Sequence, residues 1–162
     1  MNQIARKQEF DQIWNGAEQL EVLIFCLNGE TFALEATIVQ EILDLVPETR
    51  VPGSMAFVSS VINFRGKVIP LADIRLAFGM QPAEATIDSR IIVLEQVIEG
   101  EATLVGLKTD KVNEVTTLAR ASGEPPPSVG MRWRPDYIQC LVKRDSEFII
   151  IPNLGEIFAR KS

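Results

Sequence analysis

The sequence predicts a mainly β protein of two related lobes, with short helices and a helical N-terminus. Three observations predict it. Short apolar runs of strand length alternate with tight-turn signals along most of the chain. The second half repeats the order of the first. Short strands with frequent turns suit small barrels, which also protect sheet edges.

Residues 1–19 form a helical extension. Phe10, Ile13, Trp14 and Ala17 follow the spacing of one apolar helix face, and Glu9 and Asp11 suit a helix start. The face is expected to pack on its own domain rather than serve as a docking arm. Next, VLIFCL reads as a strand, Asn28-Gly29 as a tight turn and TFAL as the returning strand. EATIVQEILD is a short helical or extended piece leading into a strand, and Pro47 and Pro52-Gly53 mark a loop. In VINFRGKVIPLADIR, Ile62, Phe64 and Val68 alternate with Asn63, Arg65 and Lys67 around a turn at Arg65-Gly66, which places the three apolar side chains inside. LADIRLAFG is a short helix closed by Gly79.

The second half opens near Arg90. IIVLEQVI and TLVGL form a hairpin around EGEA; TDKVNEVTTL follows, then the irregular, proline-rich ASGEPPPSVG. YIQCLVKRDSEFIIIP is another hairpin, turning near Arg144-Asp145-Ser146, and NLGEIFAR a closing short helix. Val39-Gln40-Glu41-Ile42 matches Val112-Asn113-Glu114-Val115 at an offset of 73, and Ile69-Pro70 matches Ile151-Pro152 at an offset of 82. The expected lobes span about 20–85 and 86–162.

Composition narrows the chemistry. At a formal net charge of -6 the chain lacks the basic surface that nucleic acid or an anionic membrane demands. Histidine is absent, which removes the commonest general base and metal ligand. No phosphate loop or calcium loop occurs, so no cofactor or metal is expected. Cys26 and Cys140 sit in apolar runs and read as buried, reduced thiols. The start of the chain has no apolar signal region and no run reaches membrane-span length, which points to a cytoplasmic protein. The carboxylates Glu35, Glu41, Asp44, Asp73, Asp110 and Glu114 find no nucleophile or ligand cluster to focus them. Asp73 is expected to cap the short helix or to pair with Arg75 or Arg65, and Asn63 to bond backbone at the turn. Arg65, on a rigid hairpin, presents a fixed fork for a carboxylate, with Glu41 as partner.

VPGSMAFVSSVINFRGKVIPLADIRLAFG resembles the signature of the CheW coupling-protein family of bacterial chemotaxis, an apolar run followed by Asn-Leu-Arg-Gly, a strand ending in Pro, and Asp-Leu-Arg. IVQEIL and VGLKTDKVNEV match as well, and the resemblance runs from about Leu20 to Ala159. It implies two five-stranded SH3-like barrels around a shared core and a non-enzymatic adaptor. Its implied partners are the regulatory domain of the histidine kinase CheA, the cytoplasmic tip of chemoreceptors, and other CheW-like proteins in rings. Carried over, Val39, Ile91, Val112 and Val115 line a receptor groove, and Glu41 and Arg65 pair near the binding surfaces. Asn63, Gly66, Asp73 and Arg75 frame the hairpin, and 52–60 lies near the kinase-facing end.

The chain departs from the family pattern at Ser60, where Gly is usual, at Phe64 for Leu, and at Lys111 in Thr109-Asp110-Lys111-Val112. These departures leave open a kinase-binding module of a related pathway such as surface (type IV pilus) motility. A small β-barrel acid–base enzyme using Glu41 and Asp73 is the more distant alternative.

Overall fold

The computed structural model describes residues 3–52, 57–126 and 135–159. The N-terminal helix α1 spans Gln3–Trp14. Twelve strands follow: β1 (Gln19–Leu27), β2 (Glu30–Glu35), β3 (Val39–Asp44), β4 (Thr49–Arg50), β5 (Val58–Phe64), β6 (Lys67–Ala72), β7 (Arg90–Ile98), β8 (Glu101–Thr109), β9 (Lys111–Ala119), β10 (Gly123–Glu124), β11 (Ile138–Arg144) and β12 (Glu147–Pro152). Helix α2 (Leu154–Ile157) closes the described chain.

Three hairpins turn on the residues that the sequence marks. Asn28-Gly29, Arg65-Gly66 and Glu99-Gly100 all have positive φ at both positions, the mirror-image turn that suits twisted strands. That geometry corrects one expectation. Val68 is 68% exposed, not buried. A two-residue turn pairs Phe64 with Lys67 and Asn63 with Val68, so Val68 shares the outward face of Asn63. Ile62 and Phe64 are buried as expected, and Ile69, opposite Ile62, takes the third inward place.

The strands form two six-stranded sheets, ordered β9-β1-β2-β12-β11-β10 and β3-β7-β8-β6-β5-β4. Each position in one sheet is filled in the other by the strand six places along the chain. The two halves therefore exchange their first hairpins: β1–β2 joins β9–β12, and β7–β8 joins β3–β6. The boundary between sheets consequently does not fall at the expected 85/86 division. A local pattern specifies a hairpin but not which half it joins.

Most equivalences hold at an offset of 80 in the β5–β6 region rather than 82. The turn Arg65-Gly66 corresponds to Asp145-Ser146 (145 − 65 = 80), and Asp73 corresponds to Asn153, each capping the helical turn behind it. Likewise the Asp73 N–H donates to Phe57 O and the Asn153 N–H to Tyr137 O. Phe57 and Tyr137, related by the repeat, meet edge to face at 5.7 Å between ring centroids.

Strands β1 and β7 are apolar on both faces because each separates two cores. Leu23, Phe25 and Leu27, with Ile92 and Leu94, face a core shared by the sheets. Val22 and Ile24 face the interior of the lobe built on the β9-to-β10 sheet, the first lobe of the folded chain, where Phe10, Ile13 and Trp14 of α1 join them. Ile91 and Val93 face the interior of the second. The helix thus packs on its own domain, as expected. It ends sooner than expected, at Trp14, where Asn15 and Gly16 take left-handed φ, and Ala17 is exposed beyond it. Glu9 and Asp11 lie within the helix rather than at its start and tie it down: Asp11 pairs with Arg120, and Glu9 accepts from Asn153 Nδ2 at 3.0 Å.

Both cysteines are free; Cys140 is buried and Cys26 half-buried. Burial pushes the Cys140 thiol up to about 12. The unfolded thiol ionises near its ordinary value of 9.0, so the folded state holds this proton more tightly. Stability from this thiol is full below pH 9.0 and is lost as pH rises from there to about 12. Urea midpoints measured across that window are expected to fall less steeply for Cys140→Val than for the natural chain.

Candidate functional site

The candidate residues separate into an ion pair at a hairpin tip, a polar hub beneath the hairpin, and valines on two edge strands. Glu41 on β3 and Arg65 at the β5–β6 turn form the first, and Arg65 also lies over the Phe64 ring at 5.2 Å from its centroid. Strand β3 is one edge of its sheet, while β5–β6 lies toward the other. The pair therefore fastens the edge strand to the hairpin tip. Asn63 Oδ1 accepts from the Gly66 N–H at 3.0 Å and fixes the tip.

The first lobe has the same device. Glu114 on its edge strand β9 pairs with Arg144, at the tip of the β11–β12 hairpin, at 3.1 Å. Sequence reading missed this pair, although the repeated V-x-E-[IV] pattern contained its signal.

Arg75 forms the hub. Its guanidinium is buried, pairs with Asp73 at 3.0 Å and with Asp110, and its Nε donates to Asn28 Oδ1 at 2.9 Å. Asp73 also caps the helical turn by accepting from the Arg75 N–H. Asp110 in turn accepts from the Asn28 N–H at 2.7 Å, and Asn28 Nδ2 donates to Gln81 O. One side chain thus joins the first hairpin turn, the β6 exit and the β8–β9 corner. The Asp73 contact is local and follows from sequence, whereas Asp110 and Asn28 lie far away along the chain and do not.

The valines border the shared core. Val39 on β3 and Val112 on β9 are half-buried against it from edge strands of different sheets. Val115, opposite Leu23, is 59% exposed. Ile91 does not belong with them. It is 1% exposed inside the second lobe, against the close approach of Gly106, because alternation along IIVL turns it away from the shared core. Exposed Lys111 stands next to Val112.

Ser60 lies in an extended strand; the positive φ nearby belongs to Phe57. The hydroxyl of Ser60 donates to Glu48 at 2.8 Å, and Glu48 also pairs with Lys108. Burial raises the Glu48 carboxyl, but hydrogen bonds from Lys108 and Ser60 outweigh it and hold the group below its ordinary value. Of the expected kinase-facing segment 52–60, residues 53–56 lie outside the described residues, as do 127–130 of the proline-rich loop. Among the described residues no helix is long and apolar enough to cross a membrane.

Residues 21–162 match the family model of the CheW-like domain. The chain is 29% identical over 143 residues to chemotaxis protein CheW of Bacillus subtilis, covering 88% of each. It is 28% identical over 138 residues to that of Rhizobium meliloti, covering 85% of this chain and 86% of the relative. Among solved structures, the scaffolding protein TtCheW from Thermoanaerobacter tengcongensis superposes with a TM-score of 0.73 at 33% identity, over 85% of this chain and 91% of that one. With the family model matching residues 21–162, this chain belongs to the CheW-like domain family.

Proposed function

We propose that the protein is a non-enzymatic adaptor that couples chemoreceptors to a CheA-type histidine kinase, working in the cytoplasm at membrane receptor arrays. The supporting observation is the pair of half-buried valines, Val39 and Val112, that bring apolar surface to the border of the shared core. In this reading they form the receptor groove together with Val115, while Ile91 supports the fold beneath. The closed barrel ends, held by Glu41–Arg65 and Glu114–Arg144, are the surfaces for the kinase regulatory domain and for other CheW-like proteins in rings. Apolar contacts at the groove supply affinity, and charges at its rim fix register. Two separate interfaces on one rigid body then place kinase beside receptor.

The test is titration of the purified protein against a receptor-tip fragment and a kinase regulatory domain, separately and together. Val39→Glu is expected to weaken the receptor fragment at least about tenfold by putting a charge into an apolar contact. It should leave kinase binding within about twofold, a difference of a few tenths of a kcal/mol. Arg65→Glu, which sets like charges against each other at the tip, is expected to weaken kinase binding. An Arg65→Glu protein that folds and joins both partners normally would refute the role given to the tip. A second reading rests on Lys111, whose charge stands at the groove rim: a kinase-binding module of a surface-motility pathway. Binding to the kinase domain without the receptor fragment would favour it.

A further inference from the structure

The internal repeat sets two clefts in equivalent places. The larger, about 380 Å³, is bounded by Asn153, Gly155 and Ile38 and walled on one side by Gln12 and Ile13 of α1. Its counterpart, about 160 Å³, is bounded by Asp73, Arg75 and Thr109. No helix walls the second cleft. Ala83, Glu84 and Ala85, on the connection entering β7, stand where α1 stands before β1.

The chemistry of this second cleft is unlike that of the first. The buried arginine, serines and threonine of the described residues converge on it: Arg75, Ser89 and Thr109 line it, and Ser60 bonds Glu48, which lines it too. Buried polar groups are costly away from partners, and here they gather in one place. Four lining carboxylates, Glu48, Asp73, Glu84 and Asp110, face two cations, Arg75 and Lys108. The cations are engaged by Asp73, Asp110 and Glu48, whereas Glu84 has no ion-pair partner among the described residues. Leu45 lines the cleft and stays partly exposed, and Ile87, which is 90% exposed, lies along the chain between the lining residues Ala85 and Ser89. Ile87 is held in place, since the Thr86 N–H donates to Ser89 Oγ at 2.8 Å and Arg90 donates to the Ile87 carbonyl at 2.9 Å.

We infer that this cleft is a docking surface for a partner segment that presents an arginine or lysine beside apolar side chains. The cation enters toward Glu84 and the carboxylate excess, and the apolar neighbours rest on Leu45 and Ile87. The surface is distinct from the valine groove and does not depend on the coupling reading.

The experiment uses the full chain, labelled for NMR, and a capped peptide Leu-Ala-Arg-Ala-Leu. The control is the same peptide with citrulline, which keeps the shape of arginine without its charge. The arginine peptide is expected to shift the amides of Glu84, Ile87, Ser89 and Thr109, and citrulline to weaken binding about tenfold, since charge-assisted hydrogen bonds are about twice as strong as neutral ones. Glu84→Gln is expected to weaken it about two- to fivefold, the range of an exposed ion pair. Ile87→Ser should do so by a similar factor through lost apolar contact. Both positions are exposed, so both variants keep the fold. No shift at these amides with about 5 mM peptide, a concentration that detects even millimolar affinity, overturns the inference. Equal binding of the citrulline peptide, or shifts confined to other surfaces, overturns it as well.

Discussion

Arg75→Met should lower the stability of the protein by about 3 kcal/mol, the lower end of the range for breaking a buried ion pair. The lower end applies because the Asp73 and Asp110 side chains keep 25% and 28% of their exposure, while Arg75 keeps 5%. The cost arises less from the lost attraction than from what remains. Two carboxylates and the Asn28 carboxamide would face one another without the donor that all three share. Urea unfolding should show a lower midpoint at an unchanged slope. Asp110→Asn, added to Arg75→Met, should recover part of the loss by removing one of the stranded charges. A loss below about 1 kcal/mol, typical of a surface pair, would show that the hub is solvated and not structural.

The hub also shows where sequence reading ends. Turn chemistry is local, so Asn28-Gly29 and Arg65-Gly66 marked their hairpins correctly. Asp73 capping its own helical turn was legible for the same reason. The Asn63 contact to the Gly66 N–H and the Glu41–Arg65 pair were anticipated too, the latter with help from family resemblance. What alternation could not supply was parity across a turn, which put Val68 outside. Nor could it tell which of two cores an apolar face belongs to, so it offered no check on Ile91, which the family resemblance had assigned to the groove and which is buried inside a lobe. The segment TDKVNEVTTL, unassigned from sequence, is the edge strand β9, whose mostly exposed residues leave little apolar signal.

Hairpin exchange was the least legible feature, for a physical reason. The hairpins β1–β2 and β7–β8 are both apolar on both faces and both end in a two-residue turn. Either could complete either sheet. The choice is made by contacts distant in sequence, Ile150 beside Phe32 and Leu71 beside Gly106, and by the hub that ties Asn28 to Arg75 and Asp110. The exchange also makes the lobes interdependent. Neither sheet exists without strands from both halves, which gives a scaffold a fixed angle between its surfaces without a rigid linker.

Trp14→Ala should cost about 3–5 kcal/mol, the range for truncating a buried aromatic. Trp14 is 1% exposed and sits in the interior of the first lobe with Phe10 and Ile13. The body of the lobe is shaped to admit it. A Cβ on Gly123 would stand 3.0 Å from Phe10 and 3.1 Å from Trp14, so glycine lets the two rings lie there without shifting. Gly123→Ala should therefore destabilise by about 1–3 kcal/mol through overpacking. Placed on Trp14→Ala, the same change should cost much less, because the space is then open. That coupling, read from urea midpoints of the four proteins, separates a structural helix from a docking arm. An arm held for a partner would leave all four midpoints together and change only binding. The helix lies before residue 21, where the family match begins, yet Gly123 and the Arg120 partner of Asp11 lie within that match. The outcome with Gly123 thus decides whether this chain has built its N-terminus into the core of its first lobe.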